Sequence, residues 1–380
     1  MFGFNRARLR MTAAAAAATV AVGASALVWI SSAEAAVAGP GYGYLWLDDP
    51  APTVGVEYTP STWYQRNSTD AANTVTRRST GSYDLYFPNL ARFGTPMVTA
   101  YAGGSERCKV GSWRSAAWPR SGTVVTVRCT SRTGAATNTH FTATYAYATA
   151  ASASSTGGGS YLWSDRPAPT LGVPYTPNTA FQLNTTGQTN TVTRLGRGLY
   201  DVRIEGFGGP GRFMGLTVVA TGGSAGTYCT HDGAKAWPTH LLEHVNCYGS
   251  DGNPADSAFA LTFVESGNPV FGLVAAYANV LATCFEREVP HSTGVYPPFT
   301  CNVYDGAPDG TSVSWVSPGV YQVHLPVDMS AGNVQVTPSF GPGPCKVDWW
   351  SWDRIQVRCI DRDGGPPSED ARSLWVSFVA

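Results

Sequence analysis

Apolar and polar residues alternate one by one along short runs of this chain. Tyr83, Leu85 and Phe87 alternate with Asp84, and Val125, Val127 and Cys129 alternate with Thr126 and Arg128. A period of two sends successive side chains to opposite faces of a strand, so each run predicts a strand with one dry and one wet face. In the first third of the chain such runs fall near residues 44–47, 62–66, 74–78, 83–87, 97–101, 108–113, 124–129 and 141–145, with Gly-, Pro- and Asn-rich turns between them. Beyond the N-terminus no long stretch keeps a 3.6-residue period, and strand-forming Val, Thr, Tyr and Trp are abundant. The class is all-β, and two-faced strands belong to the wall of a sandwich or barrel.

The pattern repeats. Tyr44-Leu45-Trp46 returns as Tyr161-Leu162-Trp163, Pro50-Ala51-Pro52-Thr53 as Pro167-Ala168-Pro169-Thr170, Thr74-Val75-Thr76-Arg77 as Thr191-Val192-Thr193-Arg194, and Gly81-Ser82-Tyr83-Asp84 as Gly198-Leu199-Tyr200-Asp201. A more diverged third set carries Tyr296-Pro297-Pro298, Gly319-Val320-Tyr321, Cys345-Lys346-Val347 and Val357-Arg358-Cys359; the last two echo Cys108-Lys109-Val110 and Val127-Arg128-Cys129. Matched words in one order define three tandem modules. They divide the chain into residues 41–147, 161–266 and 271–380, with an Ala/Ser/Gly linker at 148–160. Such a linker suits separate beads on a string, with a six-bladed propeller as the alternative.

Eight cysteines in short pairs read as bridges rather than zinc ligands, whose C-x₂-C spacing none of them has. The alternation turns Cys129, Cys247 and Cys359 to the apolar face. The repeat then selects Cys108–Cys129, Cys229–Cys247 and Cys345–Cys359 from the 105 possible pairings, leaving Cys284–Cys301 as the fourth. An oxidising compartment follows. Arg6, Arg8 and Arg10 precede an apolar stretch at 13–30, and Ala33-Glu34-Ala35 offers a cleavage site before Ala36. That order reads as a signal peptide over residues 1–35, with a retained membrane anchor as the weaker alternative. Secretion, with no membrane contact after cleavage, is expected.

Charged residues make up 13% of the chain, about half the usual share. Losing Arg6, Arg8, Arg10 and Glu34 with the signal takes the formal net charge from −1 to −3. So weak a field gives no reason to expect nucleic acid as a partner.

Candidate chemistry is sparse. His240-Leu241-Leu242-Glu243-His244 has the H-x-x-E-H order of a zinc protease, but that chemistry needs a helix. Here Pro238 precedes it and a repeat-fixed strand ends at Cys247, so a chance match is favoured. Asp361, Asp363, Glu369 and Asp370 surround Gly364-Gly365, where calcium is weighed against a solvated loop, and the loop is favoured. No other cofactor is expected. Asn67-Ser68-Thr69 and Asn184-Thr185-Thr186 have sequon form at equivalent positions but read as turns. In Trp349-Trp350-Ser351-Trp352, alternation sets Trp350 and Trp352 against Trp349. Trp349 and Trp352 are the ligand-binding candidates, and Trp350, which aligns with Trp113, reads as core.

The words Y-x-W, T-V-T-R, G-x-Y-D, C-K-V and V-R-C resemble the tandem modules of secreted bacterial β-module proteins without an assigned function. The likeness spans the mature chain and implies no catalytic or binding residue. The sequence therefore favours a non-catalytic extracellular array for binding, adhesion or surface structure, with carbohydrate or protein as ligand. The alternative is a secreted hydrolase or metal-dependent enzyme, its site in the second or third copy around His231, Asp232, His240 and His244.

Overall fold

A computed structural model describes residues 40–148, 158–209, 214–223, 226–265, 277–283, 302–303, 310–339, 343–361, 365–366 and 373–379. The signal segment, most of the linker, the Cys284–Cys301 pair, Asp363, Glu369 and Asp370 lie outside them. The described residues form strands and turns with no α-helix. Thr62–Tyr64, expected as strand, is a 3₁₀ turn, and the strand Gln65–Asn67 follows it.

In the first stretch, one sheet runs Gln65–Asn67, Gly41–Trp46, Phe141–Tyr147, Thr95–Ala100. A second runs Glu57–Tyr58, Thr74–Ser79, Ser82–Pro88, Gly122–Thr130, Arg107–Ser115. Further on the order is Gln182–Asn184, Gly159–Ser164, Ala258–Glu265, Met214–Thr221, against Thr191–Gly196, Leu199–Glu205, His240–Tyr248, Tyr228–Ala236. The last stretch runs Asn302–Val303, Tyr277–Thr283, Ser373–Val379, Asn333–Ser339, against Ser312–Ser317, Val320–His324, Arg354–Cys359, Cys345–Ser351. Every pair within these groups is antiparallel.

Facing sheets meet in buried apolar clusters, and Val219 and Ala260 of the second stretch join the cluster of the first. In the first, Leu45, Met97, Phe141 and Tyr145 meet Val75, Tyr83, Leu85, Phe87 and Val127. The inward set of the alternating runs supplies these residues, and their burial is the main stabilising term.

The repeated words have physical reasons. Gly81, Gly198 and Gly319 take positive φ, and their carbonyls accept the amides of Cys129, Cys247 and Cys359 at 2.7 Å. A Cβ on Gly81 or Gly198 would lie 2.4 or 2.3 Å from the cysteine carbonyl, so only glycine fits. Two residues on, the Tyr83 and Tyr200 hydroxyls donate to the carbonyls of Pro50 and Pro167 at 2.6 and 2.5 Å. The bonded cysteines face one another across a hairpin: Cys108–Cys129, Cys229–Cys247 and Cys345–Cys359 have Cα separations of 4.1, 4.0 and 4.0 Å.

Separate beads do not describe the molecule. Val110 pairs in parallel with Thr221, His231 with Ser339, and Val347 with Tyr101. The edge strand of each stretch thus meets the next, and the last meets the first. Gly222 N donates to Val110 O, and Ala102 N to Val347 O, each at 2.9 Å. Lys109 Nζ reaches Gly222 O at 2.5 Å and Thr227 Oγ1 at 2.6 Å; Lys346 Nζ reaches Gly103 O and Glu106 Oε2 at 3.1 Å. Thr99, Thr142 and Gln335 hydrogen-bond in the buried centre, where the Thr99 hydroxyl and Gln335 Oε1 are 2.9 Å apart. At each junction one edge strand thus meets another at a paired residue instead of facing solvent there. Among the described residues no sheet closes into a barrel, and the sheet orders are not those of propeller blades.

Candidate functional site

The hairpin holding each of these three disulfides turns at its far end through an exposed tryptophan. Between Arg107–Ser115 and Gly122–Thr130 stands Trp118, 88% exposed; between Tyr228–Ala236 and His240–Tyr248, Trp237, 41%; between Cys345–Ser351 and Arg354–Cys359, Trp352, 71%. Long antiparallel arms with a covalent tie at the base hold each tip away from the core. Local contacts hold the tips as well. Lys235 Nζ lies 4.3 Å from the centre of the Trp237 ring, and His240 stacks on it at 6.0 Å. Burial, then the positive charge of Arg203, lowers the His240 pKa. Arg120, 3.6 Å above the Tyr86 ring, also pairs with Glu57 at 2.7 Å. Met329 N donates to the Trp352 carbonyl at 2.6 Å.

Trp352, one of the two tryptophans singled out in the sequence, is thus exposed at a hairpin tip. Trp349 is half-buried, in register with Gln356 after a bulge between Val347 and Trp349. The strand ends at Ser351, so the turn at Trp352 breaks the simple alternation that had grouped Trp350 with Trp352. The sequence reading missed Trp118 and Trp237, although the repeated word Trp118-Pro119, Trp237-Pro238 was visible.

Trp350 and Trp113 are not plain core residues. Each lies half-buried where two stretches meet. Trp350 packs edge-on against Trp46, Tyr64 and Tyr101 at 6.0, 5.6 and 5.1 Å. Trp113 packs against Trp163 and Phe181 at 5.2 and 5.7 Å, and beside these rings is a cavity of about 340 Å³.

The zinc-protease arrangement is absent from the strand His240–Tyr248. Glu243 points into the core, while His240 and His244 face the other way. His244 Nδ1 lies 2.6 Å from Asp201 Oδ1. Glu243 instead approaches His231, Oε2 to Nδ1, at 3.1 Å, both side chains almost wholly buried. In the matching places of the other stretches stand Val110 with Val125, and Val347 with Ile355, all apolar and buried. Of the acidic loop only Asp361 is described, its amide donating to Gly365 O at 2.8 Å. Among the described residues no three His, Cys, Asp or Glu side chains converge as metal ligands.

Asn67 and Asn184 are turn-builders. Each side-chain nitrogen is spent on a second buried Asn (Asn73 or Asn190) and on a backbone carbonyl, and each oxygen accepts from the Thr two residues on. Asp84, expected on the wet face, is there but covered: Arg78 and Thr126 reach it at 2.9 and 2.7 Å.

Comparison with protein-family models, curated proteins and solved structures finds no match to this chain.

Proposed function

We propose that this is a secreted, non-catalytic binding protein of three tandem disulfide-stapled sandwich modules joined edge to edge in a ring, whose ligand is an extracellular carbohydrate. The observation that carries the reading is the set of three equivalent hairpin tips bearing Trp118, Trp237 and Trp352. An exposed indole costs solubility and adds nothing to a core, so three at matching places argue for a surface in use. In a ring built by the three junction pairings, the three tips stand at equivalent places of equivalent hairpins. A polymer with repeating sugar rings then engages several tips at once, and weak contacts gain by avidity. The strand geometry of His240 and His244 argues against the hydrolase alternative.

The test is a glycan array and a polysaccharide pull-down with the secreted protein and its single, double and triple Trp→Ala tip variants. Affinity for a polymer is expected to fall stepwise, by about 10²-fold or more in the triple variant, with little change for a monosaccharide. Binding that survives the triple substitution overturns the reading. N-terminal sequencing of secreted material is expected to begin at Ala36.

A further inference from the structure

Two of the junctions can be laid over each other residue by residue. Val347 pairs with Tyr101 at one, and Val110 with Thr221 at the other. Trp350, Trp46 and Tyr64 at the first stand where Trp113, Trp163 and Phe181 stand at the second, and in both the three rings meet edge to face. The first has two more rings. Tyr101 packs on Trp46 and Trp350 at 5.4 and 5.1 Å, and His140 stacks on Trp46 at 6.1 Å. The amide of Tyr101 donates to the carbonyl of His140 at 2.9 Å.

At the second junction these two positions are Thr221 and Ala258, paired across adjacent strands and both lining the cavity of about 340 Å³. A phenol and an imidazole at one junction are replaced by a methyl and a hydroxyl-bearing stub at the other, and the space is left open. That volume lies at the lower end of ordinary small-ligand sites. Asp165 also lines it, and its Oδ1 is buried without a hydrogen-bond partner. Its counterpart Asp48 accepts the amide of Ser61 at 2.8 Å.

We infer that this cavity is a binding site, separate from the hairpin tips, for a small molecule with one aromatic ring carrying an O–H or N–H donor. The filled junction shows what the walls accept. A planar ring sits edge-on to Trp113 and Trp163, as Tyr101 sits on Trp350 and Trp46, and its donor meets Asp165. Edge-to-face packing favours an aromatic ring over a saturated one, and a buried carboxylate oxygen without a partner favours a donor over a plain hydrocarbon.

The experiment titrates the full secreted chain with p-cresol, 4-methylimidazole, toluene and cyclohexanol by calorimetry, with ligand-observed NMR as a second readout. Expected are saturable one-site binding of p-cresol and 4-methylimidazole and a p-cresol preference over toluene of about tenfold. That preference is expected to fall towards unity in Asp165→Asn. The double variant Thr221→Tyr/Ala258→His copies the filled junction and is expected to lose binding at least tenfold. The reverse pair, Tyr101→Thr/His140→Ala, is expected to create a second site for the same ligands. Absence of saturable binding to the wild-type chain overturns the inference, as does unchanged binding in a folded Thr221→Tyr/Ala258→His protein. Glycan binding at the tips is expected to be untouched by these variants, so failure of one proposal leaves the other standing.

Discussion

Replacing His231 and Glu243 separates the cost of a buried polar pair from the value of the core around it. Glu243 is in register with Val202 and Ala234, and His231 with Val245, so neither side chain has a route to water. His231→Val strands a carboxylate in an apolar wall. Losing one partner of a buried pair costs about 3–5 kcal/mol. Glu243→Val removes the acid 3.1 Å from His231 Nδ1 and leaves a neutral side chain in its place, so the loss is the smaller one of a broken hydrogen-bonded contact, about 1–3 kcal/mol. His231→Val/Glu243→Val installs what the first stretch already has in Val110 and Val125. Exchanging such a pair for well-packed apolar residues is neutral or stabilising, by up to about 4 kcal/mol. Denaturant unfolding of the four proteins at neutral pH measures this as a double-mutant cycle. The expected order of stability is double variant at or above wild type, then Glu243→Val, then His231→Val. A double variant less stable than both singles refutes the reasoning, because the pair would then be holding the structure together.

Three further expectations concern the junctions and turns. Burial, helped by the charge of Arg128, lowers the Lys109 pKa to about 8. The unfolded chain therefore holds that proton to higher pH, and stability from this group rises between about pH 8 and 10.4, by at most about 1.4 kcal/mol per pH unit. Subtracting the stability–pH curve of Lys109→Met from that of wild type isolates this slope, and a flat difference across the window counts against the buried ammonium. Asn73→Ala removes the donor to Tyr44 O and Arg66 O, at 3.0 and 2.8 Å; a loss of about 2–3 kcal/mol is expected in the same unfolding assay. Gly198→Ala, which would bring a methyl against the Cys247 carbonyl, is expected to destabilise by at least about 1 kcal/mol, visible as a lowered Tm with the disulfide intact.

What was legible in the sequence follows from what is local. Alternation at 125–129 and 355–359 marked the buried faces, and the repeated Gly-x-Tyr word marked a turn only glycine can make beside a bonded cysteine. The disulfide partners stand opposite each other in one hairpin, so the repeat sufficed to pair them. The junctions left almost no trace. In each, the strands pair at a single described residue pair, such as Val110 with Thr221, and the chain positions that meet are more than a hundred residues apart. An Ala/Ser/Gly linker is as compatible with a ring as with a string. Glu243 was misleading for a related reason: a motif read for helix spacing gave no hint that an acid sits on the buried face of a strand whose other inward residues, Leu241, Val245 and Cys247, are apolar. At the tips, the crowded Trp349-Trp350-Ser351-Trp352 run is the more conspicuous word, but the plainer signal is a tryptophan at the turn of all three hairpins.

Residue-resolved hydrogen exchange at Ala102 and Gly222 tests the closed ring most directly. Both amides lie in loops after edge strands, and their only described backbone acceptors, Val347 O and Val110 O, belong to a neighbouring stretch. With the edges joined, both are expected to exchange as slowly as the sheet amide of Cys129, within about tenfold. Exchange at the rate of an open loop, while Cys129 stays protected, would mean that the three stretches are independent beads.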